Sequence, residues 1–191
     1  MRKNGKCIVL SAPSGSGKTT IAKHLLTFES INLNFSISAT SREPRGAEKQ
    51  GKDYFFLSHK LFLEKAESNA FAEYEEVYPG VFYGTYHSEI NRIWGQGQTV
   101  LFDIDVEGGI SIKKLFPVNT LTIFIKPPSL TALEDRLIKR GTDTLKKIAV
   151  RLRKATAEID RAQEFDHVVI NDNLEVAKNE VQKIVTDFLK K

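Results

Sequence analysis

The sequence predicts an α/β fold: a parallel sheet with helices on both faces, interrupted by a mixed or antiparallel insert and followed by a small helical lid. Three observations carry this. A short apolar run, Cys7-Ile8-Val9-Leu10, passes through a Ser/Gly turn into a helical pattern at 21–26. From Thr99 onward, nearly continuous apolar runs alternate with helical patterns, the rhythm of strands buried on both faces and joined by crossover helices. Between these parts, residues 36–98 alternate apolar and polar at period two, which marks strands with one wet face.

The turn after the first strand is Ser11-Ala12-Pro13-Ser14-Gly15-Ser16-Gly17-Lys18-Thr19-Thr20. It stands at a strand-to-helix junction, the context of a phosphate-binding P-loop. Gly15 and Gly17 let the backbone turn its N–H groups inward and approach a phosphate. The following helix contributes the positive end of its dipole. Lys18 can bridge β- and γ-phosphates, and the Thr19 hydroxyl can hold Mg²⁺. The usual pattern opens on glycine, where this chain has Ala12.

Downstream, Asn34-Phe35-Ser36-Ile37-Ser38-Ala39-Thr40 reads as one strand, followed by a loop containing Arg42, Pro44 and Arg45. A strand at 53–57 precedes Ser58, a helix N-cap for the segment beginning at Lys60. A strand at 71–78 turns through Pro79-Gly80 into another at 81–84, and a helix covers about 88–94. In the second half, strands at 99–103, 121–125 and 167–171 alternate with helices, the last reaching Lys191. Between Arg140 and Glu164 lies a charged helical stretch with few large apolar residues. It reads as a poorly anchored, mobile lid or as a solvated surface helix. The chain thus divides into a core (1–35 and 99–191, with the lid at about 136–163) and an inserted sub-domain (36–98).

The totals narrow the class. At 191 residues, 41% hydrophobic and 27% charged, the chain suits one globular domain with a sub-domain or two. No apolar run approaches the roughly 18 residues of a membrane span. The basic start, Met1-Arg2-Lys3-Asn4-Gly5-Lys6, leads only to a brief apolar run, unlike a secretory leader. The single cysteine, Cys7, excludes an internal disulfide and points to the reducing cytoplasm. A net charge of +4 fits the handling of polyanions. Arginines recur singly beside Gly, Pro or Thr rather than in a block, which favours converging phosphate clamps over a nucleic-acid stripe.

Ligands of open parallel sheets sit beyond the carboxyl ends of the strands. Ser11 onward, Asp103, Asp105, Lys126 and Asn171 end the apolar runs and share that edge. Asp103 reads as a Mg²⁺ ligand, direct or through water, or as a helix cap, and Asp105 carries the same two readings. Arg42 and Arg45, flanking Pro44, either grip one phosphate or belong to a solvated loop. Tyr54 and Tyr83 can donate hydroxyls to that phosphate or serve as strand aromatics. Glu73, on an alternating strand, reads by itself as a surface charge. His24, His59, His87 and His167 lack metal-like spacing.

Taken together, these residues resemble the guanylate kinase family. The resemblance runs from about Gly5 to the C-terminus. It rests on the P-loop, Ser38-Ala39-Thr40-Ser41-Arg42-Glu43-Pro44-Arg45, Gly51-Lys52-Asp53-Tyr54, Phe82-Tyr83-Gly84-Thr85, Phe102-Asp103-Ile104-Asp105 and Arg136-Leu137-Ile138-Lys139-Arg140-Gly141-Thr142. It implies a P-loop NTPase-type core that moves a phosphoryl group from ATP to GMP with Mg²⁺, the metal held by Thr19 and Asp103. ATP would bind the loop (Ala12, Pro13, Ser14, Gly15, Ser16, Gly17, Lys18, Thr19 and Thr20), with Asn171 near its base. Arg42, Arg45, Tyr54 and Tyr83 would hold the GMP phosphate, and Ser38, Glu73, Thr85 and Asp105 the guanine. Lys18, Arg42, Arg136, Arg140 and Arg151 would carry the catalysis. The implied partners are the two nucleotides, with no nucleic acid and no membrane; monomer and homo-oligomer stay open. Two departures stand out: Leu145-Lys146-Lys147 replaces a usual acidic pair, and Glu107 replaces a usual glutamine. The competing readings are a non-catalytic module of the same family, a P-loop kinase for another phosphorylated acceptor, and an RNA-binding protein.

Overall fold

The computed structural model describes residues 5–141 and 143–191. The basic start at 1–4 and Thr142, last residue of the 136–142 motif, lie outside the described residues. β1 (Cys7–Ser11) is buried along its whole length and lies at the centre of a five-stranded parallel sheet. Its neighbours are β7 (Thr99–Asp103) and β8 (Thr120–Lys126), with β2 (Leu33–Phe35) and β9 (His167–Ile170) at the edges. Alternate residues of β1 enter different cores. Ile8 and Leu10 pack with Ile21, Leu25, Val181 and Val185 of α1 (Lys18–Leu25) and α7 (Leu174–Leu189). Cys7 and Val9 pack with Ile90, Ile93 and Ile112 of α3 (His87–Gly95) and α4 (Val106–Leu115). Both faces are covered, so the strand reads as a continuous apolar run. Leu10 pairs with Asp103 and Ser11 with Phe124, bringing the loop after β1 level with the end of β7.

The insert forms a second sheet in the order β4-β3-β6-β5, from β3 (Ala39–Thr40), β4 (Phe55–Phe56), β5 (Phe71–Tyr78) and β6 (Val81–Tyr86). The β3–β4 pairing is parallel and the others antiparallel, so the sheet is mixed. Its own core stacks Phe62 of α2 (His59–Glu67) on Phe71 and Phe82. Ser58 caps α2 by accepting from the Leu61 N–H at 3.2 Å.

The expected single strand at 34–40 is two strands in two sheets. β2 ends at Phe35, and Ile37 leaves the ladder to donate its N–H to Glu89 Oε1 at 3.1 Å. The expected strand at 53–57 shrinks to Phe55–Phe56, because Asp53 closes a turn by accepting from the Lys49 N–H at 2.7 Å. The charged stretch beyond Arg140 is better anchored than its composition predicts. α5 (Leu130–Arg140) and α6 (Leu145–Asp160) share a small core of Leu133, Leu137, Ile148, Leu152 and Ala155. Ile148, Leu152 and Ala155 form a stripe one residue wide, too narrow to lift the helix's apolar content. No helix among the described residues is long and apolar enough to cross a membrane.

Candidate active site

The loop after β1 is shaped by two glycines in left-handed backbone, Gly15 (φ 97°) and Gly17 (φ 91°). At Gly17 a second reason excludes a side chain: an added Cβ would stand 2.4 Å from Asn171 Nδ2. Gly17 also opens α1, whose first turn holds no acidic residue and whose N-terminus has no side-chain cap, so the positive end of the helix faces the loop. Lys18 Nζ lies 2.7 Å from Asp103 Oδ1 and donates to the Ile104 carbonyl at 2.7 Å. The Thr19 hydroxyl donates to the other Asp103 oxygen at 2.8 Å. Asp103 therefore does not cap α4. Asp105 does so, accepting from the Gly108 N–H at 3.0 Å through Oδ1.

A cavity of about 550 Å³ opens between the two sheets and the α5–α6 pair. It brings together Ala12, Pro13, Ser14, Gly15, Gly17, Lys18, Thr19 and Thr20 of the loop with Arg45, Tyr54 and Tyr83, with Ser38, Glu73 and Asp105, and with Arg136, Arg140 and Arg151. Four expected site residues do not line it. Ser16 is fully buried. Asn171 is buried beneath the loop, donating from Nδ2 to the Ser16 carbonyl at 2.8 Å, while its own carbonyl accepts from Arg136 at 2.8 Å. Its side chain braces the loop instead of facing the cavity. Thr85 is buried behind Glu73 and donates to Glu73 Oε1 at 2.5 Å. Arg42 stands just behind the lining: Glu48 grips its guanidinium at 2.6 and 2.8 Å, and Arg42 Nε donates to the hydroxyl of Tyr83, which does line it, at 3.0 Å.

Charge in the cavity is divided between its ends. The loop end carries Lys18, Arg136, Arg140 and Arg151. Arg151 donates to the Ser14 hydroxyl at 2.6 Å and is paired with Asp143 at 3.2 Å. At the other end the Glu73 carboxyl is 8% exposed, and burial pushes its pKa up to about 7, with Asp105 adding to the rise. Glu73 is no surface charge. Strict alternation would put Glu73 on the face of Phe71; the ladder register shifts between them, and Phe71 stacks on Phe62 of α2 while Glu73 meets Gly108 of α4. Gly108 makes room, since a Cβ there would stand 2.7 Å from Glu73 Oε2. Burial likewise pushes Tyr54 up to about 12 and Glu158 up to about 7.

Several residues at the site were not singled out from sequence. Glu48 binds Arg42 and also accepts from the Arg45 N–H at 2.8 Å, with its carboxyl held below the usual range by Arg42. Its place three residues after Arg45 was a readable signal. Tyr78, Asp143, Lys154 and Glu158 also reach the site. For Lys154 and Glu158 the signal was their spacing from Arg151, at one face of a helix.

The family model described as "Guanylate kinase" matches residues 4–188. The guanylate kinase of Bacteroides thetaiotaomicron is 50% identical over 187 residues, covering 98% of this chain and 91% of that protein. That of Porphyromonas gingivalis is 48% identical over 186 residues, covering 97% and 99%. The crystal structure of guanylate kinase from Anaplasma phagocytophilum superimposes with a TM-score of 0.80 at 30% identity, covering 98% of this chain and 87% of that one. With a glycine-shaped, cation-lined loop facing a buried carboxylate, and with these relatives, the protein belongs to the guanylate kinase family, nucleoside monophosphate kinases that phosphorylate GMP.

Proposed function

We propose that the cavity holds ATP at the loop end and GMP at the Glu73 end, and that phosphoryl transfer is in line and Mg²⁺-dependent. The observation that carries this is the pairing of Thr85 with Glu73. By donating to Oε1, the buried hydroxyl leaves Oε2 to accept from guanine N1–H and N2–H. Adenine would turn an N1 lone pair on the same carboxylate, and a site built on such contacts discriminates by roughly 10⁴–10⁵. Ser38 and Asp105 complete the guanine contacts. Arg45, Tyr54 and Tyr83 receive the acceptor phosphate, and Arg42 joins them from its seat on Glu48. Residues 36–98 then act as the acceptor lobe, and about 136–163 as the lid.

No protein nucleophile is needed. The loop amides and Lys18 hold the donor phosphates, and Arg136, Arg140 and Arg151 neutralise charge on the transferring group. Lys18 reaches those phosphates by leaving Asp103 and the Ile104 carbonyl. The neighbouring Thr19 hydroxyl and Asp103 carboxylate are hard oxygen donors suited to Mg²⁺. The two oxygens lie 2.8 Å apart, close enough for one ion to take both. Bound there, Mg²⁺ would offset the negative charge of the donor phosphates. The reducing cytoplasm is the compartment suited to the one cysteine, Cys7, which is buried in β1 with its thiol pushed up to about 12.

The test is ADP release with ATP, Mg²⁺ and, in turn, GMP, AMP, CMP and UMP. Turnover with GMP alone is expected; turnover with none, despite GMP binding, would mean a binding module. Two further outcomes follow from the geometry. Glu48→Gln keeps the shape but weakens the grip on Arg42, so the KM for GMP should rise about tenfold, the loss of one charge-assisted contact, while that for ATP stays constant. The second concerns pH. With a carboxyl pKa of about 7, Glu73 is protonated below neutrality and the guanine-accepting form is lost. GMP affinity should therefore weaken by about tenfold per pH unit as pH falls below 7. Calorimetric titration of wild type and Glu73→Gln at pH 6 and 8 checks this, because the steep component should be absent from the variant.

A further inference from the structure

Helix α6 carries a stripe that the roles above do not use in full. Arg151, Lys154 and Glu158 stand at i, i+3 and i+7, all turned toward the cavity. Arg151 touches the donor loop through the Ser14 hydroxyl at 2.6 Å. One turn further on, Lys154 Nζ lies 3.7 Å from Asp105 Oδ2 and 3.6 Å from Glu158 Oε1. It also donates to the Val77 carbonyl at 3.4 Å and stands 5.3 Å from the centre of the Tyr78 ring. From the α5–α6 pair, Lys154 therefore meets the start of α4 and the end of β5 at once.

Asp105 links this contact to substrate. Its Oδ1 is occupied by the Gly108 N–H, so Oδ2 is the oxygen left for guanine, and Lys154 already lies against it. Arg151 and Lys154 are three residues apart on one helix, about 4.5 Å along its axis. A shift that removes one contact displaces the other.

We propose that Lys154 is a positioning residue that couples occupancy of the guanine site to the seating of α6 on the donor loop. A guanine N–H donating to Asp105 Oδ2 takes over the role of the ammonium there. Released from Asp105, α6 moves as a unit and carries Arg151 from Ser14 toward the transferring phosphates. GMP thereby raises the affinity for ATP, and by linkage ATP raises that for GMP by the same factor. The proposal rests on the assignment of Asp105 to guanine made above.

The experiment is calorimetric titration of a non-hydrolysable ATP analogue with Mg²⁺, with and without saturating GMP, on wild type, Lys154→Met and Lys154→Arg. Wild type should bind the analogue at least about fivefold tighter with GMP present, at the lower end of ordinary coupling. In Lys154→Met that ratio should fall to within about twofold of unity, and in Lys154→Arg it should stay near wild type. A merely structural lysine would change the single affinities but not their ratio. A wild-type ratio near one, or a Lys154→Met ratio equal to wild type, overturns the coupling while leaving GMP as acceptor. Absence of GMP binding to wild type overturns the acceptor assignment together with the coupling.

Discussion

Lys18→Ala should lower kcat by about 10²–10³, the usual loss when one preorganised charge-stabilising donor is removed, while GMP binds with wild-type affinity. The split follows from position. Lys18 reaches across the loop end of the cavity to Asp103 and the Ile104 carbonyl, and Glu73 and Thr85 lie at the opposite end. Removing the ammonium deletes charge that acts on the transferring group. It leaves Asp103 with the Thr19 hydroxyl, so the carboxylate is not orphaned and the fold should survive. Initial rates at saturating ATP and GMP, beside equilibrium GMP binding, check both halves. Turnover near the wild-type rate would remove Lys18 from the mechanism.

Glu73→Gln should raise the KM for GMP by about 10²-fold or more with little change in that for ATP, and narrow the preference for GMP over AMP. Glutamine is nearly isosteric, and Thr85 can still donate to its carbonyl oxygen. The Oε2 position becomes an amide NH₂, which faces guanine N1–H and N2–H donor to donor. Glu73 is itself buried, so a mismatched polar pair there is costly. Loss of the buried carboxyl should also spare the folded chain its desolvation above pH 7, so the variant is expected to be no less stable than wild type, as thermal unfolding at pH 8 would report. An unchanged KM for GMP would place the base elsewhere.

What the sequence by itself determined lies in elements whose signal is local. The run 7–10 is apolar at every position because both faces of β1 are covered. Gly15 and Gly17 announce a left-handed loop, and Ser58 announces a helix start, because each acts within a few residues of itself. The motifs around Arg42, Tyr83, Asp103 and Arg136 could be placed in one family from their order along the chain.

What only the tertiary structure decided involves groups that meet across elements. Alternation could not show that Phe35 and Ala39 belong to different sheets, since period two is the same in either. It could not tell that Glu73 meets α4, because that depends on a register shift after Phe71 and on the glycine of α4 that makes room for the carboxyl. Asn171 ends its strand as expected, yet its amide reaches the Ser16 carbonyl and braces the loop. The grip of Glu48 on Arg42 and the reach of Lys154 to Asp105 depend on where separate elements stop in space. Local periodicity says which residues share a face; burial and pKa depend on what that face meets, and packing between distant segments sets that.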